Sequence, residues 1–91
     1  MRQILIEKYI EPSEVKAYGN NIIERWFNED GDSHSFFGHP AEVWYNNNGI
    51  TWKRWFIKGK SKRKGVLPDE IVYRYYDKKC RWCEYKNGEL I

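Results

Sequence analysis

Three groups of side chains in this sequence could carry out chemistry, and the first is an acidic loop with one histidine. The loop reads Asn28-Glu29-Asp30-Gly31-Asp32-Ser33-His34-Ser35. Its carboxylates and imidazole could act as a base or bind a cation, but catalysis also needs a nucleophile or a second acid group held in fixed geometry within a pocket. A solvated acidic turn explains these residues equally well. We therefore predict no enzymatic activity and no catalytic residue.

The second group is the cysteine pair Cys80 and Cys83. Together with His34 and His39 it could supply the four sulfur and nitrogen ligands of a structural zinc site. The order of these ligands and the extended surroundings of Cys80 do not match a zinc knuckle. A spacing of three also puts the two thiols on opposite faces of a straight strand, which hinders a disulfide between them. We therefore predict reduced thiols, no metal and no cofactor.

The third group is a run of basic residues in the second half of the chain. From Lys53 to Pro68 there are seven basic side chains and no acidic one, and most of them lie in a glycine-bounded loop over residues 58–65. The net charge is +3, yet residues 1–45 hold four basic and eight acidic side chains whereas residues 46–91 hold twelve and five. Such a loop could contact phosphates or an acidic protein surface. It could also be only a solvated tip.

Tryptophans beside this loop extend the candidate surface. Aromatic residues make up 18% of the chain, and a domain this small needs large side chains to fill its core. Core packing is therefore the first interpretation of the five tryptophans, but tryptophan and arginine also dominate protein interfaces. We expect Trp44, Trp52 and Trp55 to be the exposed tryptophans, because they lie in the middle repeat next to the basic loop. The predicted residues for binding protein or nucleic acid are Trp44, Trp52, Arg54, Trp55, Lys58, Lys60, Lys62, Arg63 and Lys64.

An internal repeat predicts the elements that position these residues. Three prolines, 28 residues apart, open similar phrases: Pro12-Ser13-Glu14-Val15, Pro40-Ala41-Glu42-Val43 and Pro68-Asp69-Glu70-Ile71. Related phrases follow at Arg25-Trp26-Phe27, Arg54-Trp55-Phe56 and, more loosely, Cys83-Glu84-Tyr85. A fixed period of this length indicates one unit used several times. We predict repeats over residues 12–39, 40–67 and 68–91.

Each repeat is predicted to form a β-hairpin. Aromatic and β-branched residues dominate residues 50–57 and 70–76, which suits pleated strands. Asn48-Gly49 and Asn87-Gly88 supply the positive φ angles of tight turns. Residues 13–17 could instead form a helical turn capped by Ser13, although the symmetry of the repeat favours a strand.

The predicted fold class is all-β. We expect an antiparallel meander of three repeated hairpins plus an N-terminal strand over residues 2–10, in a strongly twisted or curled sheet and a single domain of residues 1–91. Aromatic residues on both faces indicate that curling, a partner or self-association covers the second face. No apolar stretch has the length of a membrane span and no secretory signal is recognisable, so we expect a cytoplasmic protein without membrane contact.

The repeats resemble a family of MORN-variant β-hairpin repeats found among phage proteins and antitoxin-like bacterial proteins. The resemblance rests on Gly38-His39-Pro40-Ala41-Glu42-Val43-Trp44-Tyr45, Asn48-Gly49-Ile50, Trp55-Phe56, Lys58-Gly59-Lys60 and Lys86-Asn87-Gly88-Glu89-Leu90. It implies a binding scaffold without catalytic residues. By association it also implies a small phage-type inhibitor or antitoxin-like protein that acts on a host enzyme or toxin in the host cytoplasm.

The sequence therefore predicts non-enzymatic binding through a basic, tryptophan-rich surface. The first expected partner is a host enzyme, toxin or ribonucleoprotein with an acidic or RNA-associated face, because charge selects the partner while aromatic burial supplies affinity. The alternative is single-stranded RNA or DNA, whose phosphates would contact the lysines and whose bases would stack on the tryptophans. A second alternative is a homo-oligomeric, self-assembling structural repeat.

Overall fold

The computed structural model describes residues 11–76 and 79–91, and the strand predicted over residues 2–10 lies outside the described residues. The described elements are all β-strands: β1 (Glu14–Tyr18), β2 (Asn21–Arg25), β3 (Glu42–Asn46), β4 (Gly49–Arg54), β5 (Phe56–Ile57), β6 (Lys60–Ser61), β7 (Glu70–Tyr76), β8 (Lys79–Lys86) and β9 (Glu89–Leu90). The prediction of a strand rather than a helical turn after Pro12 is confirmed by β1.

Seven of these strands form one antiparallel sheet in the order β1-β2-β3-β4-β7-β8-β9. Strands β5 and β6 form a separate two-stranded ribbon between β4 and β7. The predicted all-β, antiparallel class is therefore confirmed. The described sheet is open, with β1 and β9 at its edges, and the expected strong curling is not observed. Curling was expected in order to cover aromatic side chains, but Trp26 and Trp55 are buried just beyond the ends of β2 and β4 instead.

Three antiparallel pairs, β1–β2, β3–β4 and β7–β8, account for most of the sheet. A proline stands just before the first strand of each pair, where its missing N–H costs no ladder bond. The residue after each proline closes the base of its hairpin in the same way. The N–H groups of Ser13, Ala41 and Asp69 donate to the carbonyls of Arg25, Arg54 and Tyr85 at 2.8, 2.8 and 3.0 Å.

The buried apolar residues gather largely at this base end of the sheet. They are Ile23, Trp26, Ala41, Val43, Trp55 and Phe56. The loop over residues 26–41 is tied to the β5–β6 ribbon there, because the N–H of Ser35 donates to the carbonyl of Phe56 at 2.8 Å and the N–H of Phe56 donates to Ser35 Oγ at 3.0 Å. The loop, together with the segment that follows the ribbon, forms the walls of a groove.

Candidate binding site

A groove with basic side chains opens between the loop over residues 26–41 and residues 62–67, the segment that follows the β5–β6 ribbon. Its volume is about 480 Å³. We call it the basic groove, and it is lined by His34, Ser35, Gly38, Trp55, Ile57, Lys62, Arg63, Lys64 and Leu67. Four of the predicted binding residues, Trp55, Lys62, Arg63 and Lys64, therefore line one cavity.

The turn of the β5–β6 ribbon brings the basic loop back over the core. Lys58 and Gly59 both have positive φ angles, 47° and 83°, and this reverses the chain between β5 and β6. Beyond β6, the N–H of Lys62 donates to the carbonyl of Trp55 at 3.0 Å. The segment is thus a folded wall of the groove, in contrast to the free solvated tip that a lysine-rich turn can also form.

Arg63 is the most firmly held cation of the groove. Its guanidinium carbon lies 4.1 Å from the centre of a Trp55 ring, and its Nη1 donates to the carbonyl of Pro68 at 3.2 Å. The carbonyl of Arg63 in turn accepts a hydrogen bond from Lys86 Nζ. A cation stacked on tryptophan is worth about 0.5–2 kcal/mol, so the planar guanidinium is oriented before any ligand arrives.

Two free lysines and an exposed apolar segment flank Arg63. Lys62 and Lys64 are exposed and have no ion-pair partner in the described part of the chain. The chain then continues through Val66 and Leu67, whose exposed fractions are 91% and 53%. Positive charge and unburied apolar surface therefore occur side by side.

The acidic loop lies against the ribbon that carries the basic loop. The N–H groups of Lys58 and Gly59 donate to His34 Nδ1 at 3.1 Å and to the carbonyl of Ser33 at 2.9 Å. The side chain of Asn28 holds the acidic turn in shape, because its Oδ1 accepts from the N–H groups of Asp30 and Asp32 at 3.0 Å each. The two oppositely charged loops are therefore neighbours, which their separation in sequence does not reveal.

The predicted tryptophans do not form one exposed surface. Trp55 is only 5% exposed, so the prediction that it is exposed is wrong, and its Nε1–H donates to the carbonyl of Gly38 at 3.0 Å. Trp44 and Trp52 are half-buried, with ring centres 5.5 Å apart. The most exposed tryptophan is Trp82 in β8, at 60%, which the sequence argument did not select.

Trp44 and Trp52 share their sheet face with a row of alternating charges. We call this row the Glu–Arg row; one residue from each of five neighbouring strands forms it, Glu14, Arg25, Glu42, Arg54 and Glu70. The successive nitrogen–oxygen distances are 3.9, 3.7, 4.0 and 4.0 Å. The indole N–H groups of Trp44 and Trp52 donate to Glu42 and Glu70 at 2.6 and 2.7 Å. Both indole N–H groups and the carboxylates of Glu42 and Glu70 are therefore engaged within the sheet.

The central and outer members of the row differ in their surroundings. Arg54 lies over the rings of Trp52 and Phe56 at 5.3 and 4.8 Å, and its buried Nε has no hydrogen-bond acceptor among the described residues. At the outer end, the hydrogen bond from Lys16 lowers the pKa of Glu14 below its ordinary value, and the same bond raises the pKa of Lys16. Arg54, predicted as a binding residue, is thus engaged within the fold.

The cysteines lie in β8, where Cys80 is opposite Tyr75 and Cys83 is opposite Val72. Both thiols are free, and their odd spacing in one strand confirms that they point to opposite faces. In the described residues no three cysteine, histidine or acidic side chains are grouped as a metal site would require. The same part of the chain contains no helix with the length and apolar character needed to span a membrane.

Comparison with known proteins gives no match to a protein-family model, to a curated protein or to a solved structure. The resemblance to MORN-variant repeats therefore stays a prediction.

Proposed function

We propose that this chain is a non-enzymatic binding protein whose basic groove docks an acidic, partly apolar segment of a partner protein. The observation that carries the proposal is the arrangement of Arg63, held over Trp55, between the exposed Lys62 and Lys64 and beside the exposed Leu67. A side chain that is already ordered loses less entropy on binding, so an oriented guanidinium favours carboxylate recognition.

The surroundings of the tryptophans favour a protein partner over single-stranded nucleic acid. Base stacking needs an accessible ring, but Trp55 is covered by Arg63. Trp44 and Trp52 face each other, and their indole groups are bonded to Glu42 and Glu70. Carboxylates in that position repel a phosphate backbone. Binding of RNA or DNA is accordingly the alternative against which the proposal is tested.

The size of the groove limits what it contributes. A volume of about 480 Å³ falls within the range of ligand-binding clefts but can hold only a few side chains. A stable complex buries roughly 800 Å² on each partner, so the surface around Val66 and the lysines must contribute as well. We propose the role of a phage-type inhibitor or antitoxin-like protein that binds a host enzyme or toxin in the cytoplasm, which is the role that the resemblance to MORN-variant repeats implies.

We also propose that the scaffold is one hairpin unit used three times. The support comes from equivalent positions: Glu14, Glu42 and Glu70, each two residues after a proline, all belong to the Glu–Arg row. The hydrogen bonds that close the three hairpin bases are equivalent too. The third unit has Tyr85 opposite Glu70 where the first two have arginine, and this ends the alternation of charge.

The proposal is tested with a labelled peptide that alternates glutamate or aspartate with leucine. Its binding is followed by fluorescence anisotropy at low and at physiological salt, beside a peptide with lysine in place of the acidic residues and a single-stranded oligonucleotide. The acidic peptide should bind, and Lys62→Glu/Lys64→Glu should lower its affinity at least about tenfold, because two attractive charges become repulsive. Both lysines are exposed, so the variant keeps the fold.

The matched control is Lys58→Glu/Lys60→Glu, which makes the same change in net charge at two exposed lysines that do not line the groove. It should reduce peptide affinity far less than Lys62→Glu/Lys64→Glu does. Equal losses in the two variants would mean that net charge alone drives binding, and tighter binding of the oligonucleotide than of the peptide would replace the protein partner with nucleic acid.

A further inference from the structure

Two arginines lie directly opposite each other on the same face of the sheet. Arg74 in β7 is the cross-strand partner of Arg81 in β8. Both side chains are exposed, and within residues 11–76 and 79–91 neither has an ion-pair partner. Like charges at directly opposed positions destabilise a sheet, so this pair is unfavourable for folding.

The rest of this face makes the arrangement unusual. Arg25 lies between Glu14 and Glu42, and Arg54 lies between Glu42 and Glu70, so each arginine of the Glu–Arg row has a carboxylate on both sides. The alternating residues of β7 place Arg74 on the same face as that row. Among the described residues, Arg74 and Arg81 therefore lack the neighbouring carboxylates that Arg25 and Arg54 have on this face.

We propose that Arg74 and Arg81 form a recognition site for a phosphate monoester group. Directly opposed residues of an antiparallel pair have Cα atoms about 4.5–5.5 Å apart, so two guanidinium groups can converge on one anion. Each guanidinium presents a planar fork of donors that matches phosphate oxygens. Two unit positive charges match a phosphate monoester, which carries a charge of about −1.5 to −2 at neutral pH.

The neighbouring residues on this face favour an ester over free phosphate. Val72 and Cys83 are opposite each other, two residues along their strands from the arginines and on the same face, and both are half-buried. An apolar group that carries the phosphate can lie on this pair while its phosphate reaches the arginines, since alternate residues of a strand are about 6.6–6.8 Å apart. The site shares no residue with the basic groove and does not depend on the function proposed for it.

The test is a titration of the full chain with phenyl phosphate, followed by the shifts of backbone amide resonances. Shifts should centre on residues 72–74 and 81–83, with tighter binding than for inorganic phosphate or for the monoanion dimethyl phosphate. Arg74→Gln/Arg81→Gln should lower the affinity at least about tenfold. Lys58→Gln/Lys60→Gln removes the same charge elsewhere and should leave the affinity within about twofold. Equal affinity of dimethyl phosphate, or shifts centred on the lysine loop, would overturn the proposal.

Two further variants separate recognition from folding. Arg74→Lys/Arg81→Lys keeps both charges but loses the planar forks, so phenyl phosphate should bind several-fold more weakly to a protein of unchanged fold. Arg81→Glu should raise the melting temperature by about 2–5 °C, because it converts a repulsive cross-strand pair into an attractive one, and should abolish binding. A lower melting temperature for Arg81→Glu would show that the arginine pair stabilises the sheet and would count against a site kept for a ligand.

Discussion

Replacing Glu42 by glutamine is the sharpest test of the Glu–Arg row. The Glu42 side chain is 10% exposed, lies 3.7 Å from Arg25 and 4.0 Å from Arg54, and accepts the indole N–H of Trp44 at 2.6 Å. Glutamine has nearly the same shape, so the change removes the charge and leaves the packing in place. We expect Glu42→Gln to fold to the same sheet with a reduced free energy of unfolding.

The magnitude follows from two contributions. A hydrogen bond to a carboxylate is worth roughly 1.5–3 kcal/mol and a neutral one about 0.5–1.5 kcal/mol, so the Trp44 bond loses about 1 kcal/mol. Removing one partner of a buried ion pair costs about 3–5 kcal/mol, but Arg25 and Arg54 keep Glu14 and Glu70, which reduces this loss to about 1–2 kcal/mol. The total is about 2–3 kcal/mol, or roughly 10–20 °C in melting temperature for a domain of this size.

The assay is urea denaturation at pH 7, repeated in about 0.5 M NaCl, where surface charge effects are screened and partly buried ones persist. Glu14→Gln is the matched control, because Glu14 belongs to the same row but stands on the edge strand and pairs with the exposed Lys16. Its effect should be much smaller and should shrink further in salt. If Glu42→Gln is no less stable than Glu14→Gln, the row is a surface feature that contributes little to folding.

Two other pairs of substitutions test the fold. A Cβ atom at Gly49 would lie 2.9 Å from Tyr75 Oη, and Gly49 has a φ of +123°, so Gly49→Ala should cost about 1–3 kcal/mol. Tyr75→Phe loses the 2.6 Å hydrogen bond to the Ile50 carbonyl, which costs about 1 kcal/mol, but it also removes the oxygen that a Cβ atom at Gly49 would approach. In urea denaturation the double variant should therefore lose less free energy of unfolding than the sum of the losses of the two single variants. A loss equal to that sum would contradict the contact between Gly49 and Tyr75. Trp55→Ala should lower the free energy of unfolding by about 3–5 kcal/mol because the ring is buried. Trp82→Ala should change it by no more than about 1 kcal/mol because that ring is exposed. Equal losses would contradict the difference in burial between the two rings.

Local chemistry in the sequence was sufficient to predict the class of fold and the places where strands begin and turn. Pro12, Pro40 and Pro68 precede strands because proline cannot donate to a ladder, and Asn87 and Gly88 both have positive φ angles as the predicted Asn-Gly turn requires. The turn predicted at Asn48-Gly49 is displaced by one residue, because Asn47 and Asn48 connect β3 to β4 and Gly49 is the first residue of β4. The opposite orientation of the two cysteines also follows from the two-residue period of a strand. These properties depend on a few neighbouring residues, so they can be inferred without knowing the fold.

The tertiary structure decided which side chains meet. The sequence does not show that Arg74 faces Arg81 or that Glu42 lies between two arginines, because both depend on the register between strands. A single extra residue changes that register. Tyr45 pairs with Ile50 and Trp44 pairs with Trp52, so Thr51 has no opposite residue in β3. Likewise, Trp55 is buried because a distant loop and Arg63 cover it, and such long-range contacts form only when the whole chain has folded.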